Sequence, residues 1–215
     1  MGTDIHGWLE YRISRPDPAP DPAPGESAWH PAISLFSLGA PRDYDAFACL
    51  FGVRDFHGTW RPVSADRGLP PDLSPEVRED HAGWSGSAFA ETWLAWPEVM
   101  AIDWTEPALP RVTHVSRHHR AENGALRLIH THEWSRAFAR ASGINTLTTS
   151  PTDLADQCPE GTEWTTPTAL FRAERARRRD AVPADGPWTP VWTVMETLAG
   201  VHGEKNVRLV AWFDE

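Results

Sequence analysis

Met1-Gly-Thr-Asp-Ile-His-Gly-Trp-Leu-Glu-Tyr11 alternates apolar Ile5, Leu9 and Tyr11 with polar Asp4, His6 and Glu10. Alternate residues of a strand share a face. Thr3, Ile5, Leu9 and Tyr11 are therefore expected on one face, and Asp4, His6, Trp8 and Glu10 on the other. The opposite end of the chain, Val207-Arg-Leu-Val-Ala-Trp-Phe-Asp214, has the same character. These are the two most apolar strand candidates, which places them side by side in the middle of one sheet. Asp214 can then approach Asp4 or His6 near one edge of that sheet.

Working inward, Pro16-Asp-Pro-Ala-Pro-Asp-Pro-Ala-Pro24 can neither ladder nor coil, and reads as a surface loop over 16–24. Trp29 to Leu38 is ambiguous, a strand with a turn. Arg42 to Gly52 reads as a helix: Asp43 caps it, Tyr44, Phe47, Ala48 and Phe51 form a stripe, and Gly52 ends it. Ser74-Pro75-Glu76 starts a second helix that reaches about Ala82. Gly83 to Ala90 reads as loop, Thr92-Trp-Leu as extended, and Pro97 to Ile102 as a short helix.

Arg111–Arg120 and Ala125–His132 form a hairpin whose expected turn is Asn123-Gly124, which sets His119 across from Leu128. Ser135 to Ser142 is a helix closed by Gly143. Residues 145–168 read as polar and irregular, and Leu170 to Arg179 as a basic helix or strand. Thr189-Pro190 opens a helix expected to stop at Ala199 and Gly200. The sum is one α+β domain over residues 1–215, a mostly antiparallel sheet carrying short helices.

Composition narrows the function classes. The chain is 40% apolar and 23% charged, with a net charge of −10. An acidic balance disfavours a nucleic-acid coat or a binder of anionic membranes, and leaves room for a small anionic molecule in a local arginine pocket. No apolar run spans a bilayer and no leader pattern opens the chain, so the expected location is the cytoplasm. Cys49 and Cys158 are then reduced thiols rather than a disulfide framework. Nineteen of the twenty basic residues are arginine, a bias that fits a GC-rich genome. The twelve tryptophans fill cores or line ligand pockets.

Three constellations carry chemistry. Asp4, His6 and Asp214 offer two carboxylates and an imidazole, which suit Mn²⁺, Mg²⁺ or Zn²⁺, or a base with its orienting partner. The plainer alternative is that Asp4 and His6 hydrogen-bond locally and lock the sheet. The hairpin holds His114, His118, His119, His130 and His132, of which His119, His130 and His132 can share a face and hold zinc. An exposed polar edge is the stronger reading there. Arg172, Arg175, Arg177, Arg178 and Arg179 can bind phosphate, yet Glu174 and Asp180 interleave, as on a solvated face. No phosphate-binding glycine loop, dinucleotide fingerprint or nucleophile elbow occurs.

Several of these segments together resemble a family of small phage and actinobacterial proteins. Its motifs are matched by Met1-Gly-Thr-Asp-Ile-His6, Arg42-Asp-Tyr-Asp-Ala-Phe47, Gly52-Val-Arg54, Arg67-Gly-Leu-Pro70, Trp93-Leu94, Asp103-Trp104 and Val207–Asp214. Thr3 stands where cysteine is commoner, so a thiol there is not needed. The resemblance implies organisation as one domain and carries no activity with it. The phage association raises capture or destruction of a host nucleotide signal.

The resulting expectation is a divalent-metal-dependent hydrolase of a phosphorylated or nucleotide-like small molecule. Asp4 and His6 are its catalytic residues, and Asp4, His6 and Asp214 its metal ligands. Arg42, Tyr44, Arg54 and Trp93 contact the substrate. The alternatives are a binding protein that captures such a molecule without turnover, and a structural or partner-binding protein.

Overall fold

The computed structural model describes residues 2–13, 27–40, 42–56, 58–84, 86–109, 113–131, 135–145, 153 and 156–215. The expected proline-rich loop at 16–24 lies outside them. The chain groups into two compact units. One is Met1–Trp104 together with Ala181–Glu215, and the other is the interposed Thr105–Asp180. The architecture is α+β, with an antiparallel sheet in each unit.

The first unit is built on β1 (Asp4–Arg12), β2 (Trp29–Ser34), β3 (Phe89–Ala95) and β8 (Val207–Asp214), ordered β2-β1-β8-β3. The two ends of the chain therefore pair at its centre, from Asp4 opposite Asp214 to Tyr11 opposite Val207. Gly7 sits in that ladder at φ 145°, where a Cβ would lie 2.0 Å from the Val210 carbonyl oxygen. Only glycine lets the two backbones come this close.

Both faces of this sheet are covered. On one, Phe213 meets Phe47 and Phe51 of α1 (Tyr44–Phe51), with ring centroids 5.1 and 5.7 Å apart. On the other, Val210 and Trp212 pack with Leu73 and with Val77 of α2 (Pro75–Gly83). Double coverage is why β8 is buried from Val207 to Phe213 and reads as a nearly unbroken apolar run. Asp214 is the first residue to leave the core.

Helix α1 forms as its sequence suggests. The Ala46 N–H donates to Asp43 Oδ1 at 3.1 Å, and Gly52 closes the helix in the left-handed region at φ 73°. The short α3 (Trp96–Met100) follows β3.

In the second unit, β4 (His114–Arg120), β5 (Leu126–His130), β6 (Glu163–Thr165) and β7 (Ala169–Glu174) are ordered β5-β4-β7-β6. Helix α4 (Arg136–Ser142) starts at Ser135, whose hydroxyl accepts from the Ala137 and Phe138 N–H groups. It sets Phe138 against Trp164 and Phe171, 5.0 and 5.8 Å between centroids. Back in the first unit, α5 (Thr189–His202) packs on β8 and β1.

Three local expectations are corrected. The hairpin turn is Glu122-Asn-Gly124, because the Ala121 N–H donates to the Ala125 carbonyl and Gly124 takes φ 81°. A three-residue loop shifts the register by one, so His119 faces Arg127 and not Leu128. Helix α5 runs through Gly200 to His202, since packing on the sheet outweighs the modest cost of one glycine. Within 145–168, β6 forms by pairing with β7, an element held by its neighbour more than by its own pattern.

Candidate functional site

The polar face of the central strands divides into three zones. Asp4 and His6 of β1 and Asp214 of β8 occupy one end. Trp8 and Trp212 fill the middle, joined by Trp84 and by Trp93 of β3. Glu10 and Arg208 form the other end.

At the first end two carboxylates are directly opposite, an arrangement that is unfavourable unless each finds a cation or donor. Asp4 is gripped by Arg42, with Nε to Oδ1 at 2.9 Å and Nη2 to Oδ2 at 2.6 Å. That fork holds the Asp4 carboxyl below the usual range and raises Arg42 above its own. Asp214 instead meets His6, Nε2 to Oδ1 at 3.0 Å. The indole of Trp84 lies on the His6 ring with centroids 3.8 Å apart. Both members of this pair are partly buried, with 22% and 24% of their side-chain surface exposed.

Arg54 reaches the same end from the loop after α1. Its Nε donates to Thr3 Oγ1 at 2.5 Å and its Nη2 pairs with Glu215 Oε1 at 2.8 Å. Its backbone is left-handed at φ 63°, uncommon for a residue with a side chain and found where surrounding contacts hold it. The Tyr44 hydroxyl accepts from the Thr3 N–H at 3.1 Å. Beside this cluster lies an open, shallow depression of about 410 Å³ lined by Gly86, Ser87, Phe89 and Glu215.

Asp4, His6, Asp214, Arg42, Tyr44 and Arg54 thus gather at one end of the sheet. Trp93 does not join them. It pairs with Val210, four residues before Asp214 and so ~13 Å along the strand. Its ring lies beneath Arg67, 5.1 Å from the guanidinium carbon. Among the described residues, no three His, Cys, Asp or Glu side chains are grouped to hold a metal ion. Both oxygens of Asp4 are already engaged by Arg42.

The two other constellations, for which the plainer reading is the stronger one, make local contacts. His119 hydrogen-bonds to the Thr168 carbonyl and His114 pairs with Glu174, while His132 lies outside the described residues. The arginine run is spent within its own unit. Arg172 pairs with Glu163, Arg177 with Glu160 and Arg178 with Glu106, and Arg175 donates to the Ala108 carbonyl. Cys49 and Cys158 are buried thiols, and burial pushes the Cys158 thiol up.

Sequence reasoning passed over Trp84, which sits in a segment of small polar residues with no periodicity to mark it. It also missed the network at the far end of the face. There Arg208 bonds buried Glu10 at 2.8 Å and Asp72 at 2.6 Å, its guanidinium lying 3.8 Å over Trp29. Glu10 also accepts from the Ser74 N–H at the start of α2. The signal was available: the register that pairs Asp4 with Asp214 also pairs Glu10 with Arg208.

Comparison of the chain with protein-family models, with curated proteins and with solved structures returns no match.

Proposed function

We propose that the chain is a hydrolase of small phosphorylated or nucleotide-like molecules, in which His6, oriented by Asp214, activates water. The observation that carries this reading is the 3.0 Å contact between His6 Nε2 and Asp214 Oδ1, with the next residue, Glu215, lining an open depression. A carboxylate acceptor at Nε2 keeps the proton there and leaves Nδ1 as the base. Nδ1 takes a proton from water as the water oxygen bonds to phosphorus. The bond to the leaving oxygen breaks, that oxygen takes a proton from solvent, and His6 returns its own.

The anionic substrate class is supported by Arg42 and Arg54. Their partners Asp4 and Glu215 each keep 48% of their side-chain surface in water. Water screens the Arg42–Asp4 pair on both sides and the Glu215 side of the Arg54 pair, so a phosphate can displace either carboxylate at little cost. A divalent ion would draw on His6 and Asp214, whose donor atoms stand 3.0 Å apart, while Asp4 stays with Arg42.

Capture without turnover is a second reading, favoured by Trp84, which covers one face of the His6 ring. Incubation with a library of nucleotides and phosphoesters, read by mass spectrometry with and without Mn²⁺, separates the readings. The expected result is a new product from wild type that is lost in both His6→Gln and Asp214→Asn, each shown to be folded. A compound retained but unchanged supports capture. Product formation that survives both substitutions would sink the role given to this pair.

A further inference from the structure

We infer that the outer edge of β5 is a docking site for an extended peptide strand of alternating acidic and apolar residues, supplied by another protein. The inference is independent of the hydrolase reading and concerns the interposed unit alone.

Strand β5 is the last of its sheet, and among the described residues only β4 pairs with it. An edge of this kind presents unpaired N–H and C=O groups, which natural sheets normally shield. This one is open, because all five residues Leu126–His130 are exposed. Leu126, Leu128 and Ile129 keep 43%, 52% and 54% of their surface in water. An exposed apolar edge strand is costly unless something is laid on it.

The side chains define the occupant. Ahead of the irregularity between Leu128 and His130, Leu126 and Leu128 alternate with Arg127, so one face of the added strand meets leucines backed by Arg120 and His118 and the other meets a guanidinium. His119 stands opposite Arg127 and adds to the basic character of that face, while Arg117 lies over Phe171, 5.8 Å from its ring centre. Against Arg117, Arg120 and Arg127 the hairpin from His114 to His130 holds a single carboxylate, Glu122. The bias extends to the whole unit. Eleven arginines against nine carboxylates give Thr105–Asp180 a net charge of +2, so with −10 for the chain the remainder carries −12.

A second copy of the chain is a poor occupant. Two β5 strands laid antiparallel about Leu128 bring Arg127 and its copy within diagonal reach, and like charges there oppose pairing. Single-stranded nucleic acid would use the arginines and leave Leu126, Leu128 and Ile129 in water. A strand with carboxylates on one face and apolar side chains on the other satisfies the backbone, the leucines and Arg127 together.

The test uses the full chain and a labelled Glu-Val-Glu-Val-Glu-Val-Glu peptide, read by fluorescence anisotropy at low and physiological salt. Saturable binding that weakens with salt is expected. A Lys/Val peptide of the same pattern should fail to bind, and so should a version with proline at its central position. Arg127→Glu should lower affinity for the Glu/Val peptide ~tenfold, the size of exchanging a favourable cross-strand charge pair for a repulsive one. It should also admit the Lys/Val peptide. Equal binding of the proline peptide would overturn the inference, because charge alone would then suffice. So would absence of binding at low salt, or tighter binding of a single-stranded oligonucleotide than of the peptide. The Lys/Val and proline peptides test wild-type protein, so the outcome does not depend on the variant folding.

Discussion

Asp4 and Glu10 are both acidic residues on the same face of one strand, yet they have different fates. Asp4 lies at the sheet end, where Arg42 can reach it and water still surrounds it. Glu10 is fully buried and holds together two segments far apart in sequence, through Arg208 and the Ser74 N–H. Removing one partner of a buried ion pair strands the other. Glu10→Ala is therefore expected to cost about 3 kcal/mol, toward the low end of such losses because Asp72 still accepts from Arg208. Replacing Glu10 and Arg208 together by Met and Leu should recover most of it. Urea unfolding of the two variants checks this, and a double variant no better than the single one would show that the loss is not an orphaned charge. Arg42→Ala, by contrast, should leave the urea midpoint almost unchanged, because water screens the pair it makes with Asp4.

At the scale of elements, the pairing of β1 with β8 rests on one unusual position. Gly7 accepts a hydrogen bond from the Leu35 N–H while its own α-carbon lies against β8. Gly7→Ala is expected to cost more than ~2 kcal/mol, from the unfavourable φ and the collision with the Val210 carbonyl together. Thermal melting measures it directly, and a shift of under a degree would mean that the ladder can open locally. The helices were legible where local chemistry decides them: Asp43 and Gly52 bound α1, and Ser135 and Gly143 bound α4. Strand β6 and the true end of α5 were not legible, because each depends on a neighbour that no local pattern names.

For the whole molecule, acid should be the condition that loosens the fold. In Asp72, burial raises the carboxyl, but the hydrogen bonds from Arg208 and Trp29 outweigh it and hold the group below its usual range. Glu98 behaves likewise, with burial overcome by Arg67 and the Ala95 N–H. In Asp4 the Arg42 fork dominates. For all three the unfolded chain binds protons more readily than the folded one. Their stabilisation is complete above the ordinary carboxylate range and is lost as pH falls through their lowered folded values. The melting temperature should fall from about pH 4 downward, and the slope should flatten in Asp72→Asn. A slope unchanged in that variant would remove Asp72 from the account.

The chain's own order of residues settled that two apolar strands stand at its ends, that short capped helices lie between them, and that acidic and imidazole groups share one face of the first strand. Those features follow from local periodicity and capping chemistry, which need no knowledge of neighbours. Partner choice required the fold. Only the tertiary structure decided that His6 takes Asp214 while Asp4 goes to Arg42, that Trp84 comes to rest on the imidazole, and that Trp93 stays away. The reason is that side-chain pairing depends on register and on which loops return to the sheet, and both are set by packing across the whole unit.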